Sequence, residues 1–346
     1  MVVAEERGSS LQGVESGLRV FAVSDLHVDH AQNLSWVRQL PAHVGSPSVL
    51  ILAGDISHRL ELIEETLVLL LQKFDRVFFC PGNHELWVER GAREGDTRTS
   101  LDKLDEINRL CKELGVDTAP ACVENVWLVP ISSWYHASFD RQPEWEGALP
   151  VTKVMTDFRA CRWPASVDPA GDDLAKLFDT FNDPQLGNLE YCLEEEASGG
   201  DRPVVISFSH FVPRNDLIPE KEHLFYKNLP KAVGSDWLRE RIHSLSPAVH
   251  VFGHTHFSWD SILDDVRYVQ WPLAYPKEQE RRRKYGIGQR YDSAGGDTST
   301  HPFSSWKPLE VYNSVQGVTR CRRTYWANHY GQATVKGPLK GRAGAV

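Results

Sequence analysis

Apolar positions in this chain arrive in short dense runs, and each run gives way abruptly to polar residues. Six such runs occupy 19–23, 48–53, 76–80, 126–131, 203–208 and 248–252. Runs of this length, apolar almost throughout, predict strands buried on both faces. Between them, apolar residues recur at helical spacing over Leu60–Phe74, Leu101–Leu114 and Asp236–Leu245, and in Leu174–Glu196 with an interruption at Asn182-Asp183-Pro184. Residues 257–263 and 266–269 predict a hairpin turning at Asp264-Asp265. Alternation of strands with helices implies a layered α/β fold.

Two stretches depart from that rhythm. Residues 133–200 are rich in Trp, Pro and charge and predict an insertion over one end of the sheet. From 277 to 346 a basic run, Arg281-Arg282-Arg283-Lys284, precedes a Gly/Ser/Thr-rich stretch and a polar end. This segment is expected to be a basic C-terminal extension, disordered in part, leaving 17–276 as the working domain. Charge follows the same division. The chain carries 38 basic and 47 acidic residues, and its last 70 residues hold 13 basic against 5 acidic, so the net −9 splits into −17 before Lys277 and +8 from there on. An acidic body is a poor match for duplex DNA, whose binding requires many phosphate contacts. No run of about 18 apolar residues exists to span a membrane. Met1–Glu6 lacks the basic-then-apolar layout of a signal peptide. Six cysteines without a C-x-x-C pair suggest neither a disulfide framework nor a zinc finger, and a reducing, cytoplasmic location is expected.

The chemistry gathers where the runs end. Five of the six are followed at once by metal-ligand side chains: Asp25 and His27; Asp55; Asn83 and His84; His210; His254 and His256. In open α/β sheets the crevice at the carboxyl ends of strands is where sites form. Oxygen and imidazole donors suit manganese, iron, zinc or magnesium rather than a soft thiolate metal. The set is large enough for two ions, and a shared carboxylate could hold them about 3.5–4 Å apart, the spacing of two-metal phosphoester hydrolysis.

With these blocks in order, Asp25-Leu26-His27, Gly54-Asp55, Gly82-Asn83-His84-Glu85, His210 and Gly253-His254-Thr255-His256, the sequence resembles the calcineurin-like metallophosphoesterase superfamily. The resemblance implies a four-layer αββα sandwich of two mixed β-sheets, here carrying a Trp-rich insertion. It implies that Asp25, His27 and His256 bind one metal ion, that Asn83, His210 and His254 bind a second, and that Asp55 bridges them. It also implies that His84 is no ligand but the general acid that protonates the leaving oxygen, while a hydroxide between the metals attacks phosphorus in line. Two cations lower the pKa of a shared water and neutralise phosphoryl charge, and an imidazole can supply a proton near pH 7.

Departures narrow the reading. The protein Ser/Thr phosphatases of the superfamily carry G-D-x-V-D-R-G, where this chain has Gly54-Asp55-Ile56-Ser57-His58-Arg59-Leu60, so that branch is disfavoured. Arg59 and His58 stand as candidate substrate contacts. Trp134-Tyr135-His136 is a candidate cleft wall, and Arg159 and Arg162 are candidates to approach the phosphate. The expected activity is dimetal phosphoester hydrolysis, monoester or diester, on a small molecule. The alternatives are a catalytically silent scaffold, which the intact blocks oppose, and a nuclease, which the acidic body opposes.

Overall fold

The computed structural model describes residues 17–88, 97–199, 203–285, 306–322, 324 and 326. Eleven strands are present among them: β1 Arg19–Val23, β2 Ser48–Ala53, β3 Arg76–Cys80, β4 Ala121–Val123, β5 Val126–Pro130, β6 Val204–Phe208, β7 Val249–Phe252, β8 Trp259–Leu263, β9 Val266–Gln270, β10 Leu309–Asn313 and β11 Gly317–Val318. The helices are α1 Ala31–Gln39, α2 Leu60–Leu71, α3 Ser100–Leu114, α4 Val151–Val154, α5 Asp157–Ala160, α6 Asp173–Thr180, α7 Asp183–Gly199, α8 Asp236–Leu245 and α9 Pro276–Tyr285. One sheet runs β11-β10-β1-β2-β3 and the other β4-β5-β6-β7-β9-β8. Both are mixed. In the first, β1, β2 and β3 are parallel and β10 is antiparallel to β1. In the second, β5, β6, β7 and β9 are parallel, with β4 and β8 antiparallel at the edges.

The strand sequences explain the layering. Alternate residues of a strand face opposite sides, and here both sides are apolar. Val20, Ala22, Val49, Ile51 and Phe78 from one sheet meet Leu128, Ile206, Phe208, Val249 and Val251 from the other in an inter-sheet core. Leu50, Leu52, Val77 and Phe79 turn outward onto Val37, Ile63, Leu67 and Ile107 of α1–α3. Val205 and Phe252 turn outward onto Leu189, Leu193, Leu238 and Ile242 of α7 and α8. The result is helix, sheet, sheet, helix, a four-layer sandwich. Local signals set the helix ends: Thr99 and Asp102 form a reciprocal capping box at α3, and left-handed Gly115 closes it.

Two boundaries differ from the sequence reading. Residues 133–200 are not insertion throughout. Parallel β5 and β6 need a crossover between them, and α7 serves as that crossover within the outer layer, while the aromatic cluster of Trp134, Phe178, Phe211 and Trp163 caps the strand ends. The segment expected to be a C-terminal extension also contributes to the domain. Its Leu309 and Val311 lie in the inter-sheet core, Trp306 stacks on Trp271 at 5.1 Å, and buried Arg267 of β9 donates to the Thr319 carbonyl while paired with Asp260 at 2.8 Å. The Gly/Ser-rich stretch to Ser305 and most of 323–346 fall outside the described residues. No helix among the described residues is long and apolar enough to cross a membrane.

Candidate metal centre

The predicted donors converge at the carboxyl ends of the central strands of both sheets. Asp25 and His27 follow β1, Asp55 follows β2, Asn83 and His84 follow β3, His210 follows β6, and His254 and His256 follow β7. Two groups of donor atoms form, each with all its atoms within 4.8 Å of one another: Asp25, His27, Asp55 and His256; and Asp55, His210 and His254. Asp55 belongs to both. Its Oδ2 lies 3.8 Å from His27 Nε2 and its Oδ1 lies 3.4 Å from His210 Nε2. Asn83 completes the second group, with Oδ1 at 3.1 Å from His210 Nε2 and 2.9 Å from His254 Nδ1.

The loops that hold these donors are strained and locked together. Asp25, His27, Asp55, His254 and His256 all have positive φ, between 44° and 75°. Such backbone costs roughly 1–3 kcal/mol per non-glycine residue and persists only where the surroundings over-determine it. Here they do: Asp25 N–H donates to the Gly54 carbonyl, His27 N–H to the Asp55 carbonyl, and His254 N–H to Asp25 Oδ1, at 2.8–3.0 Å. Gly54 (φ 77°) leaves no room for a side chain, since a Cβ there would meet His210 Nδ1 at 2.4 Å. At Gly82 a Cβ would meet Asp55 Oδ1 at 2.3 Å.

Glu85, fully buried, clamps the two loops. Its carboxylate accepts from the N–H groups of Asp55, Ile56, Ser57 and Gly82 at 2.6–3.2 Å. Burial pushes its pKa up to about 7, Asp55 adds to the rise, and the N–H donors of Gly82 and Asp55 pull against it.

The donor set fits cations. His210 Nδ1–H donates to the Ala53 carbonyl (3.0 Å) and His254 Nε2–H to the Ala232 carbonyl (2.8 Å). His256 Nδ1–H donates to Glu278 (2.7 Å). Each bond fixes the ring and turns the opposite nitrogen toward the cluster. His27 Nε2 and His256 Nε2 face each other at 2.8 Å; two imidazole lone pairs rest so close only with a proton or a cation between them. Protonation tells the same story. Burial lowers His210 and His256, but Asp55 outweighs it at His210, and Glu278 and Asp25 outweigh it at His256, leaving both raised to about 9. Burial, with positive His210 nearby, lowers His254 to about 3. Burial also lowers His27, and His84 and His256 reinforce it. Burial raises Asp25, whereas at Asp55 His210 and His84 overcome burial and hold the carboxylate well below its usual range.

His84 lies beside the cluster. Its ring stacks on Trp87 at 3.7 Å, its Nε2 is 3.8 Å from Asp55 Oδ2, and its backbone N–H donates to Asp55 Oδ1. Burial lowers its pKa, with Asp55 and Asp157 opposing.

Of the other candidates, His58 borders the cluster through Trp87, with ring centroids 6.1 Å apart. Arg59 pairs with Glu61 at the exposed start of α2, and His58 Nδ1 lies 3.2 Å from Asp29. Arg159 donates to the Lys153 carbonyl and Arg162 to the Arg98 carbonyl. Trp134 is core, and His136 accepts from the Asp236 N–H at the start of α8. Tyr135 alone of its trio reaches the centre, stacking on His254 at 6.1 Å.

Sequence reasoning missed three neighbours. Buried Asp157 accepts from Asn83 Nδ2 (2.8 Å), Trp87 Nε1 (2.6 Å) and Tyr135 O–H (3.0 Å), and so turns the Asn83 carbonyl toward the second group. Tyr275 and Glu278, at the start of α9, flank the first group. None sits in a block or directly after a strand, so periodicity carried no signal for them.

A fold of two mixed sheets with this centre at the strand ends defines a metallophosphoesterase, a metal-dependent hydrolase of ester bonds. The chain belongs to the calcineurin-like phosphoesterase family, whose model matches residues 18–258. It is similar to the acyl-carrier-protein phosphodiesterase PptH of Mycobacterium tuberculosis, 28% identical over 302 residues, which cover 81% of this chain and 85% of the relative. The crystal structure of that phosphopantetheinyl hydrolase superposes with a TM-score of 0.60 at 25% identity, covering 79% of this chain and 95% of the other. TT1561 of Thermus thermophilus is more remote, with a TM-score of 0.42 and 12% identity over 73% of this chain and 88% of its own.

Proposed function

We propose that this protein hydrolyses a phosphodiester whose alcohol or phosphate carries a long organic arm, of the phosphopantetheinyl class. The observation that carries the reading is the pair of donor groups sharing Asp55, with His84 held beside them by Trp87. Asp25, His27 and His256 would hold one cation, Asn83, His210 and His254 another, and Asp55 both. Manganese, iron and zinc all match these donors. Bound cations would supply activation of a water and neutralisation of phosphoryl charge.

The protein's own groups supply the rest. Water adds to phosphorus as the P–O bond to the leaving alcohol breaks, and protonated His84 gives its proton to the departing oxygen. The phosphate anion at its side favours the charged imidazole, against the burial that disfavours it. Asp55 fixes His84 through the backbone N–H, and Trp87 fixes the ring.

Two observations support a diester with an arm. One is the likeness to PptH along most of both chains. The other is a cleft of about 270 Å³ lined by Trp145, Leu149, Met155, Phe225, Tyr226 and Leu229. Leu229 opens the 3-10 turn Leu229–Ala232, and its last residue, Ala232, holds His254.

The test is turnover by protein loaded in turn with manganese, zinc or ferrous iron. Substrates are a phosphopantetheinylated carrier protein, bis-nitrophenyl phosphate and nitrophenyl phosphate. Release of the arm from the carrier protein, abolished by a chelator, is expected. Turnover of the monoester alone would overturn the diester reading.

A further inference from the structure

The turn that opens α9 is held with more bonds than a connection needs. Ala274 has φ 65°, a left-handed conformation that an alanine adopts at a cost. Its N–H donates to the Asp25 carbonyl at 2.9 Å, and its carbonyl accepts from Asn33 Nδ2 at 2.9 Å and Gln279 Nε2 at 2.8 Å. Buried Asn33 Nδ2 also donates to the Leu26 carbonyl at 2.7 Å, tying this turn to the Asp25–His27 loop. Leu273 N–H donates to the Ser24 carbonyl. Arg282 donates to the Pro272 and Leu273 carbonyls while its guanidinium lies over Trp306. Strain held this firmly points from geometry to use.

What the strained residue aims is Tyr275. Its ring stacks on His27 with centroids 4.3 Å apart and meets His256 edge-on at 4.9 Å. Its hydroxyl stands 3.3 Å from His84 Nε2, the atom that faces Asp55. Three residues on, Glu278 Oε2 accepts from both His256 Nδ1 (2.7 Å) and the Tyr275 N–H (3.1 Å). The same oxygen therefore fixes a candidate ligand and the residue beside it. The backs of His210 and His254 are held by backbone carbonyls, whereas His256 is held by a carboxylate.

We propose that Tyr275 is a catalytic residue whose phenol donates a hydrogen bond to a phosphoryl oxygen lodged beside His84, and that Glu278 is a positioning residue for His256 and Tyr275. A phenol keeps its proton near neutral pH and can donate where an imidazole changes state. The assignment rests on the phosphoester reading above but not on the identity of the ester.

Orthophosphate is the probe, titrated calorimetrically into manganese-loaded protein, with metal affinity measured separately by chelator competition. Y275F should bind both ions as the wild type does and orthophosphate about 10–100-fold more weakly, as expected for loss of a hydrogen bond to a charged group. kcat/KM on bis-nitrophenyl phosphate should fall in step. E278Q should weaken one of the two ions about 10–100-fold, the usual effect of losing the group behind a ligating histidine, and leave the other in place. Unchanged orthophosphate affinity in Y275F would overturn the role of Tyr275, and so would loss of metal from that variant, which would make the ring a packing element of His27. Unchanged affinity for both ions in E278Q would overturn the role of Glu278. Orthophosphate binding is read without turnover, so a protein that cleaves no diester would fail the earlier reading and still decide this one.

Discussion

The two donor groups of the candidate metal centre are supported in different ways. The second half, Asn83, His210 and His254, rests on Ala53 and Ala232 carbonyls and on Asp157 from the region between β5 and β6. The first, Asp25, His27 and His256, leans on Glu278 and Tyr275, which follow the last strand of the second sheet. Backbone carbonyls come with the fold whatever the side chains are. Carboxylates and phenols must be specified one by one. The histidines of the second half are therefore tied to the packing of the domain, while His256 in the first half and Asn83 in the second depend on single carboxylates, Glu278 and Asp157, that one substitution can remove.

The comparison can be broken at its hinge. Asp55→Ala removes the one side chain common to both halves, and both ions should be lost, with activity falling by about 10⁴-fold or more if the several kcal/mol that cations contribute disappear. Elemental analysis of the purified variant reads this directly; full occupancy would remove Asp55 from the bridge. His84→Ala removes a ring that packs against His27 but belongs to neither donor group. It should keep both ions and lower kcat by about 10²–10⁴-fold for an alkyl leaving group, with a much smaller loss for nitrophenolate. Equal losses on both substrates would indicate phosphoryl binding instead of proton donation.

Asp157 supports the second half alone of the two, through Asn83. The variant that tests this half is Asp157→Ala, which leaves the Asn83 amide without the acceptor that orients it, so one ion should be held about 10–100-fold more weakly while the other stays. Chelator competition on this variant beside E278Q would show whether the halves are separable; the same ion lost from both would deny it. A different readout, stability against pH, concerns His250 on β7 beside the second half. Buried His250 bridges Ser207 and Ser209, at 2.8 and 3.1 Å, and burial lowers its pKa from 6.5 to about 3. Below about pH 6.5 the unfolded chain takes up a proton that the folded chain refuses. Stability from this group is complete above that pH and falls by about 1.4 kcal/mol per unit as pH drops toward 3. Urea unfolding of metal-free His250→Gln against wild type should show a shallower acid slope in the variant, and parallel slopes would refute the assignment.

Much of this was legible in the sequence because burial on both faces leaves a dense apolar run. The six runs correspond to β1, β2, β3, β5, β6 and β7 within a residue or so at either end, and the hairpin turns at Asp264-Asp265, both with positive φ. The donors in the blocks were legible for the same reason: each directly follows a strand, so the sheets bring them together. What the pattern lacked was partnership at long range. Residues 309–313 are short and stand behind a Gly/Ser-rich stretch, and only their pairing with β1 makes them a strand. α1 has Asn33 buried for its hydrogen bonds, which blurs its apolar stripe. Asp157, Tyr275 and Glu278 reach the centre from irregular turns, whose direction depends on the finished domain. Glu85 was visible as a letter of its block, but its grip on four backbone N–H groups was not.

The place of β10 bears on how the protein is born. β1 leaves the ribosome some 290 residues before β10, yet one of its two edges waits for residues 309–313. At about 5–20 residues per second, that edge stays open for roughly 15–60 s. An unpaired strand that is apolar from Val20 to Val23 is a template for another chain. The nascent polypeptide would therefore pass through a long interval of vulnerability that the finished molecule does not reveal, and its yield in a cell would depend on chaperone supply more than its final stability suggests.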